Sequence, residues 1–232
     1  MKNHLIPNQL KENGVEELIS FDKGSLEEIV KYSNELGVRQ IERDLAKICR
    51  KIARKNDKEK ITVERVSEIL GIRKKPDLWK GVGIVNGMAW TPMGGKILIV
   101  ESLKYPSNKF KFEVTGQLGE VMKESIQIAL SWIKANRNDF AVWGGSDALH
   151  ISEQIDDLEK VSLHLHFPAG AVKKDGPSAG VTIVTCLVSL LMKVPARDNL
   201  SMTGEISLSG RVLPVGGIRE KCIAAIYEGM KQ

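Results

Sequence analysis

The chain has 232 residues, of which 42% are hydrophobic and 27% charged, and its formal net charge is +5. This length suits one or two domains and is enough to bury a real core. No run of about 18 apolar residues occurs, and the N-terminus has neither a signal-peptide core nor an arginine-rich presequence. We therefore predict a soluble chain whose N-terminus carries no address.

The first third of the chain is predicted to be helical. Residues 25–35 indicate a capped helix in which Glu28 completes a capping box. Residues 62–70 indicate another short helix. Between them, apolar residues recur three and four positions apart, which is the spacing of one helical face. They are Val38, Ile41, Leu45, Ile48 and Ile52.

A domain boundary is predicted at residues 73–77, where a polar helical region gives way to one rich in glycine and β-branched residues. We expect an α+β protein, with a small helical bundle over residues 1–75 and a mixed α/β domain over residues 76–232. Residues 1–76 hold 17 basic and 13 acidic side chains, so the basic excess lies mainly in the bundle. It fits nucleotide contact, weak salt-sensitive nucleic-acid binding, or simply a solvated basic face.

Beyond the boundary the apolar period changes from 3.6 to 2 residues. Residues 96–101 and 110–114 predict strands, and residues 120–135 predict an amphipathic helix. The inward face of that helix is apolar, comprising Met122, Ile126, Ala129, Leu130 and Ile133. Residues 138–158 have no clean period and are expected to form a surface loop.

Two histidines, His164 and His166, share one face of a strand predicted at residues 161–167. Such a pair could ligate zinc, or one ring could serve as the base of a serine triad. Neither option has its third partner, because only His4 and His150 remain and the cysteines are isolated. We therefore predict no metal site.

The three cysteines are odd in number, scattered, and embedded in helical patterns. They are Cys49, Cys186 and Cys222. This usage predicts buried free thiols, which fit the reducing environment inside a cell.

The most informative run is Lys174-Asp175-Gly176-Pro177-Ser178-Ala179-Gly180, which precedes a mostly apolar helical stretch. It places the Ser178 hydroxyl at a helix N-terminus, where free amides and the helix dipole favour a developing oxyanion. A serine nucleophile needs a base, and a lysine serves only if burial brings its pKa from about 10.4 towards neutrality. Lys221 follows a glycine turn and begins an apolar helix, where its amine could be held against a core.

Each half of this pair also has an ordinary explanation. Gly-Pro-Ser is typical of a turn followed by a helix cap, and a lysine in a first helical turn is normally solvated. Five ordered segments together, however, resemble the Lon protease family over nearly the whole chain. They are AWTPMGG at 89–95, TGQLGEVMKES at 115–125, the Ser178 run, MTGEISLSGRVLP at 202–214 and GGIREK at 216–221.

The resemblance implies a role for each matching residue. Ser178 would be the nucleophile and Lys221 its general base. Thr203 would be the hydroxyl that orients the lysine, and Asp175 an acidic residue that influences whether the site is open. Lon relatives carry histidines near their active site without metal, so His164 and His166 are predicted to be site-lining or structural.

Arg39 lies in residues 35–43, which resemble the Lon segment that carries the sensor-2 arginine of the small helical ATPase subdomain. In that family the arginine contacts nucleotide phosphates, and its charged fork suits bidentate binding. No phosphate loop accompanies it here, because Ile97 stands where Ser or Thr would hold magnesium. We expect ATP with magnesium to serve the full-length enzyme and not to bind this chain tightly.

Two further expectations rest on the resemblance. Residues 164–172 and 181–187 look more like the peroxisomal branch, which favours the peroxisomal matrix over the mitochondrial matrix or the cytoplasm. Lon protease domains also continue for several tens of residues beyond the lysine helix. We therefore expect the C-terminal end of the domain, and any C-terminal targeting signal, to be missing.

Two functions stay open from the sequence. The first is the C-terminal part of an ATP-dependent serine endopeptidase that degrades unfolded or damaged polypeptides in a homo-oligomer, expected to be a hexamer. The second is a catalytically inert, truncated domain that acts as an interaction or assembly module of Lon rings. Both keep the same motifs, and labelling of Ser178 by an active-site serine reagent discriminates between them.

Overall fold

The computed structural model describes residues 1–33, 37–71, 78–92, 94–136, 139, 160–168 and 173–230. The chain divides into two compact units, the first comprising Met1–Lys75 with Pro92–Gly94 and the second Pro76–Thr91 with Gly95–Gln232. The predicted boundary residues 73–77 and, apart from Asp139, the predicted loop at 138–158 lie outside the described residues.

The first unit is mainly helical, and its two short strands pair in parallel. In chain order its elements are α1 (Leu5–Glu12), β1 (Ile19–Phe21), α2 (Lys23–Tyr32), α3 (Arg39–Ala53), β2 (Glu59–Ile61) and α4 (Val63–Leu70). The helices enclose an apolar core that includes Ile29, Leu45, Ile48, Ile52, Ile61 and Val66. The expected helical bundle is thus confirmed.

Helix α2 begins at Lys23, earlier than predicted, because Asp22 is its N-cap. The Asp22 carboxylate accepts a hydrogen bond from Ser25 N, and Ser25 Oγ donates back to Asp22 O at 2.9 Å. This reciprocal pair satisfies the first turn of the helix. The prediction of a capping box completed by Glu28 was therefore wrong, and the Glu28 carboxylate instead lies 2.9 Å from Lys31 Nζ.

Helix α3 confirms the apolar spacing for Leu45, Ile48 and Ile52, and α4 confirms the short helix predicted at residues 62–70. Leu45, Ile48 and Ile52 are fully buried, whereas Val38 is 50% exposed because it precedes the first helical residue. Helix α4 starts after Thr62, whose hydroxyl accepts a hydrogen bond from Arg65 N at 3.3 Å.

The second unit is built on a mixed five-stranded sheet. Its elements are β3 (Ile84–Thr91), β4 (Gly94–Pro106), β5 (Lys111–Thr115), α5 (Glu120–Ala135), β6 (Val161–His166), a 3₁₀ turn (Pro177–Ala179), α6 (Gly180–Met192), β7 (Ser201–Met202), β8 (Glu205–Ile206), β9 (Val212–Leu213) and α7 (Ile218–Tyr227). The strand order in the sheet is β5-β6-β4-β3-β7. Strand β5 runs parallel to β6, β6 antiparallel to β4, and β3 parallel to β7, while β8 and β9 form a separate antiparallel ribbon.

Helices α5 and α6 pack on each other and contribute to one core with the sheet. Helix α5 has the predicted bounds, and four of its five predicted inward residues are buried, Leu130 being half-buried. Leu163, Leu165 and Phe167 alternate into the core as expected. Ser162, which was predicted to lie on the opposite face of the strand, is also buried, at 1% exposed.

Residues 87–91 and 94–96, where glycines precede a lysine, lie in strands β3 and β4 and not in a phosphate loop. Gly87 lies in β3, and a Cβ there would lie 2.9 Å from Thr182 Oγ1 of α6. The missing side chain thus lets α6 pack against β3. This is a close helix–sheet contact and not the strand–loop–helix arrangement that cradles phosphates.

Two of the three free cysteines are buried, and Cys222 is only half-buried, which corrects the prediction for that residue. Burial raises the pKa of the Cys49 thiol to about 11 and that of Cys186 to about 12. Across the described residues, no helix is long and apolar enough to cross a membrane.

Candidate active site

Lys221 lies in the first turn of α7, which begins at Ile218, three residues before the helix start predicted at Lys221. The helix begins after Gly217, whose φ of 68° is in the left-handed region that favours glycine, and Lys221 N donates to Gly217 O at 3.0 Å. The lysine side chain is 2% exposed. Within the described residues no carboxylate forms an ion pair with it, and burial lowers the pKa of its amine.

A glycine on β4 allows the backbone of α7 to come close to the sheet. A Cβ on Gly95 would lie 2.1 Å from Glu220 O and 2.9 Å from Lys221 N. Only hydrogen can occupy this space, since no real Cβ approaches a carbonyl oxygen so closely. The contact seats the first turn of α7, and with it Lys221, against the sheet.

Thr203 connects the lysine to the backbone of the serine. Lys221 Nζ donates to Thr203 Oγ1 at 3.0 Å, and Thr203 Oγ1 donates to Ser178 O at 3.0 Å. Because a hydroxyl has one proton and here gives it to Ser178 O, Thr203 can only accept from the amine. The lone pair of a neutral Lys221 amine is then directed away from Thr203.

Ser178 lies in the 3₁₀ turn directly before α6 and is half-buried. The turn starts after Gly176, whose φ of 120° requires glycine. Ser178 O accepts a second bond from Gly204 N at 2.8 Å, and Val181 N in the first turn of α6 donates to Gly204 O at 3.1 Å. The nucleophile candidate is thus fixed at the positive end of a helix, as expected from the sequence.

Asp175 has a capping role that the sequence did not reveal. Its Oδ1 accepts hydrogen bonds from Met122 N at 3.1 Å and from Gly176 N at 3.0 Å. Met122 is the third residue of α5, so the carboxylate caps that helix from a distant part of the chain. Gly119 makes room for it, because a Cβ there would lie 2.2 Å from the carboxyl carbon.

A cleft of about 950 Å³ opens beside Ser178, Lys221 and Asp175. Its walls combine apolar side chains, including Met88, Trp90, Ile97, Ile99 and Met122, with the charged residues Lys96, Lys173, Lys174, Glu205 and Glu220. Lys174 Nζ donates to Gly116 O at 2.9 Å, and burial lowers the pKa of its amine. The cleft thus brings apolar side chains together with the Ser178 hydroxyl and the Lys221 amine.

His164 and His166 form a separate cluster around Thr115. The Thr115 hydroxyl lies 2.9 Å from His164 Nε2 and 2.7 Å from His166 Nδ1. Neither ring is among the cleft-lining side chains of the described part of the chain. Of the two predicted roles, site-lining or structural, the geometry favours the structural one.

The same cluster contains a carboxylate. Glu113 lies 3.9 Å from His164 Nδ1, and hydrogen bonds from Lys111 and then Tyr105 lower the pKa of its carboxyl group. In the described ranges, no three His, Cys, Asp or Glu side chains are grouped so that they could hold a metal ion.

Arg39 is the first residue of α3 in the first unit, and its side chain is exposed. Arg43, Arg50 and Arg54 of the same helix region are exposed too. This fits a solvated basic face, and the nucleotide-contacting role of Arg39 stays a prediction.

Comparison with known proteins bears on both units. Residues 60–232 match the family described as the Lon protease (S16) C-terminal proteolytic domain, and residues 11–64 match the Lon protease AAA+ ATPase lid domain. The chain is 45% identical over 241 residues to the Lon protease of Geobacter metallireducens, and 45% identical over 241 residues to that of Koribacter versatilis. It is 44% identical over 240 residues to Lon protease 2 of Bdellovibrio bacteriovorus.

These matches cover 99%, 98% and 99% of the chain respectively. In each case they cover 28% of the relative, so the chain spans little more than a quarter of the length of these proteins.

Proposed function

The chain belongs to the Lon protease family, and from this premise we propose that it is the proteolytic part of an ATP-dependent serine endopeptidase with Ser178 and Lys221 as its catalytic dyad. The observation that carries the proposal is the buried Lys221 amine, joined through the Thr203 hydroxyl to the backbone of Ser178. A buried lysine without a carboxylate partner is the form of the residue that can act as a base near neutral pH.

The proposed reaction is acyl transfer. The neutral Lys221 amine takes the proton of the Ser178 hydroxyl as Oγ bonds to the peptide carbonyl carbon. The Lys221 ammonium then gives that proton to the leaving amine as the C–N bond breaks, which leaves an acyl-serine. In the second half, water gives a proton to the same amine as its oxygen bonds to the ester carbonyl carbon. The ammonium then returns that proton to Ser178 Oγ as the acyl C–O bond breaks, which releases the carboxylic acid product and restores Ser178.

Thr203 and α6 would support this reaction in different ways. Thr203 holds the amine by accepting from it, so the amine lone pair is available to the Ser178 hydroxyl. The N-terminus of α6 lies directly after Ser178, where its dipole favours the oxyanion of the tetrahedral intermediate. Asp175 would act indirectly, by holding the turn against α5.

Substrate, nucleotide and assembly follow from the family premise. The apolar cleft suits extended, unfolded or damaged polypeptides. The first unit matches the lid of an ATPase, so we propose that Arg39 contacts ATP with magnesium in a longer homo-oligomeric enzyme, expected to be a hexamer. Weak nucleic-acid contact through the basic helices and a peroxisomal location stay predictions.

The test is modification of Ser178 together with hydrolysis of a short fluorogenic peptide. We expect a fluorophosphonate to label Ser178, and Ser178→Ala and Lys221→Ala each to abolish hydrolysis while the fold is kept. Lys123→Ala is the control, because this lysine is exposed and pairs with Glu120. Wild-type activity in Lys221→Ala would remove lysine as the base.

A second candidate is an inert interaction or assembly module. The observation that favours it is the outer face of α7, where Ile223, Ile226 and Tyr227 are 43%, 70% and 49% exposed. Apolar residues grouped in this way are typical of a protein contact. A chain that neither labels at Ser178 nor hydrolyses peptide would support this candidate.

A further inference from the structure

The backbone that leads to Ser178 is attached to the start of α5 at successive points. The first is a bridge between Leu118 and Lys174. In it, Lys174 N donates to Gln117 O at 2.9 Å and Gly119 N donates to Lys174 O at 2.8 Å. The second is the Asp175 carboxylate on the first turn of α5. Together they fix the course of the chain up to the 3₁₀ turn.

Ser125 supplies a third attachment, through its side chain. Its side chain is 4% exposed, and its Oγ donates to Pro177 O at 3.3 Å. A serine inside a helix often bonds back to a carbonyl of its own helix. Here the acceptor is 52 residues away in the chain and belongs to the residue just before the nucleophile candidate.

The bond acts on a peptide unit that includes the nucleophile. Pro177 C=O and Ser178 N–H share one peptide plane, and no cis peptide bond occurs in the described chain, so the two groups point in opposite directions. A bond that draws Pro177 O towards α5 therefore turns Ser178 N–H away from α5. On the other side, Gly204 N and Thr203 Oγ1 hold Ser178 O.

We propose that Ser125 is a positioning residue for the reaction, because its buried hydroxyl fixes the peptide plane before Ser178 and so aims the nucleophile at Lys221. This inference rests on the proposed function and deepens it. Without the hydroxyl, Pro177 O keeps the bond from Gly180 N within the turn but loses its link to α5. The Ser178 side chain would then be presented over a wider range of angles.

The experiment compares Ser125→Ala and Ser125→Cys with Ser189→Ala. Ser189 is an equally buried serine on α6, 6% exposed, that accepts from Gly83 N at 3.0 Å and donates to Val194 O at 2.6 Å. We expect Ser125→Ala to lower kcat for a short peptide about tenfold with KM nearly unchanged, since small misplacements of reacting groups cost this much or more. Cysteine, a weaker donor of similar size, should give an intermediate kcat.

The control separates positioning from stability. Ser189→Ala should lower the unfolding temperature without lowering kcat at a temperature where all variants are folded. If kcat falls equally in Ser125→Ala and Ser189→Ala, or is unchanged in Ser125→Ala, the inference is wrong.

A second readout does not depend on activity. In ¹⁵N-resolved NMR, Ser125→Ala should shift the Ser178 and Gly180 amide signals, whereas Ser189→Ala should leave them in place. If the wild-type chain hydrolyses nothing and the shifts occur, the proposed function fails and the positioning contact stands. If the Ser178 amide does not move in Ser125→Ala, the positioning role is overturned whatever the activity.

Discussion

The buried Lys221 amine affects the stability of the fold as well as the proposed chemistry. The side chain is 2% exposed, and burial lowers the pKa of the amine. Between that lowered pKa and the ordinary value of about 10.4, the unfolded chain binds more protons than the folded chain. The free energy of unfolding of the wild type must therefore rise with pH across this window.

Replacing this lysine with an apolar side chain of similar length should stabilise the fold. We expect Lys221→Met to raise the free energy of unfolding at pH 7 by about 1 to 3 kcal/mol, which is the scale of burying an incompletely paired polar group. The gain should shrink as pH approaches 10, because the neutral amine of the wild type is less costly there. Urea unfolding at several pH values checks this, and parallel pH slopes for the two proteins would contradict it.

Thr203 allows a sharper test of how the proposed base, Lys221, is held. We expect Thr203→Val to lower kcat/KM for a short peptide by about 100-fold, because it removes the acceptor of the lysine amine and the donor to Ser178 O together. Thr203→Ser keeps the hydroxyl and should retain most of the activity. The activity of the wild type should rise with pH through the lowered Lys221 pKa. Equal activity of Thr203→Val and Thr203→Ser would contradict this role of the hydroxyl.

At the level of secondary-structure elements, the contact between β4 and α7 leaves no room for a side chain at Gly95. Gly95→Ala would place a Cβ 2.1 Å from Glu220 O, so the first turn of α7 has to move. We expect a loss of about 1 to 3 kcal/mol of stability, as in other overpacked sites, together with a fall in kcat. Thermal unfolding and peptide hydrolysis measure the two effects.

The matched control for that change is Gly216→Ala. No atom lies within 4 Å of a Cβ at Gly216, so its stability should be unchanged or slightly higher. Equal destabilisation by both substitutions would mean that the close approach of α7 to β4 is not the cause.

Elements long enough to show a repeating apolar pattern could be predicted from the sequence, whereas contacts between distant segments could not. Helix α5 has the predicted bounds because Met122, Ile126 and Ala129 repeat along one face. The two-residue strands β7, β8 and β9 were missed, because two residues are too short to show a period. These strands are defined by backbone pairing, β7 with β3 and β8 with β9.

The same difference between local patterns and distant contacts applies to the candidate site. Ser178 and Lys221 could be nominated because their local motifs are specific and resemble a family. The capping role of Asp175 could not, because Met122 lies 53 residues away and helix capping is normally read from adjacent residues. Ser125 gave a weak signal, since it is a polar residue beside the apolar face of α5.

For the molecule as a whole, the first unit matches an ATPase lid but the sequence contains no phosphate loop. We expect this chain to bind ATP with magnesium no better than millimolar and not to hydrolyse it, because one arginine cannot replace an amide cradle and a magnesium site. Calorimetry tests this, with Arg43→Ala as the control for Arg39→Ala. Micromolar binding that survives Arg39→Ala would show that another nucleotide site exists.

Because the cysteines are unequally buried, one native thiol can carry a label beside the proposed dyad. Cys49 and Cys186 are buried with raised pKa values, whereas Cys222 is half-buried and follows Lys221 directly. A maleimide should therefore react with one thiol per native chain and with three in denaturant, as counted by mass spectrometry. A fluorophore introduced in this way, with no engineered site, would lie one residue from Lys221, the proposed base. Its emission would follow movements of the first turn of α7 during turnover.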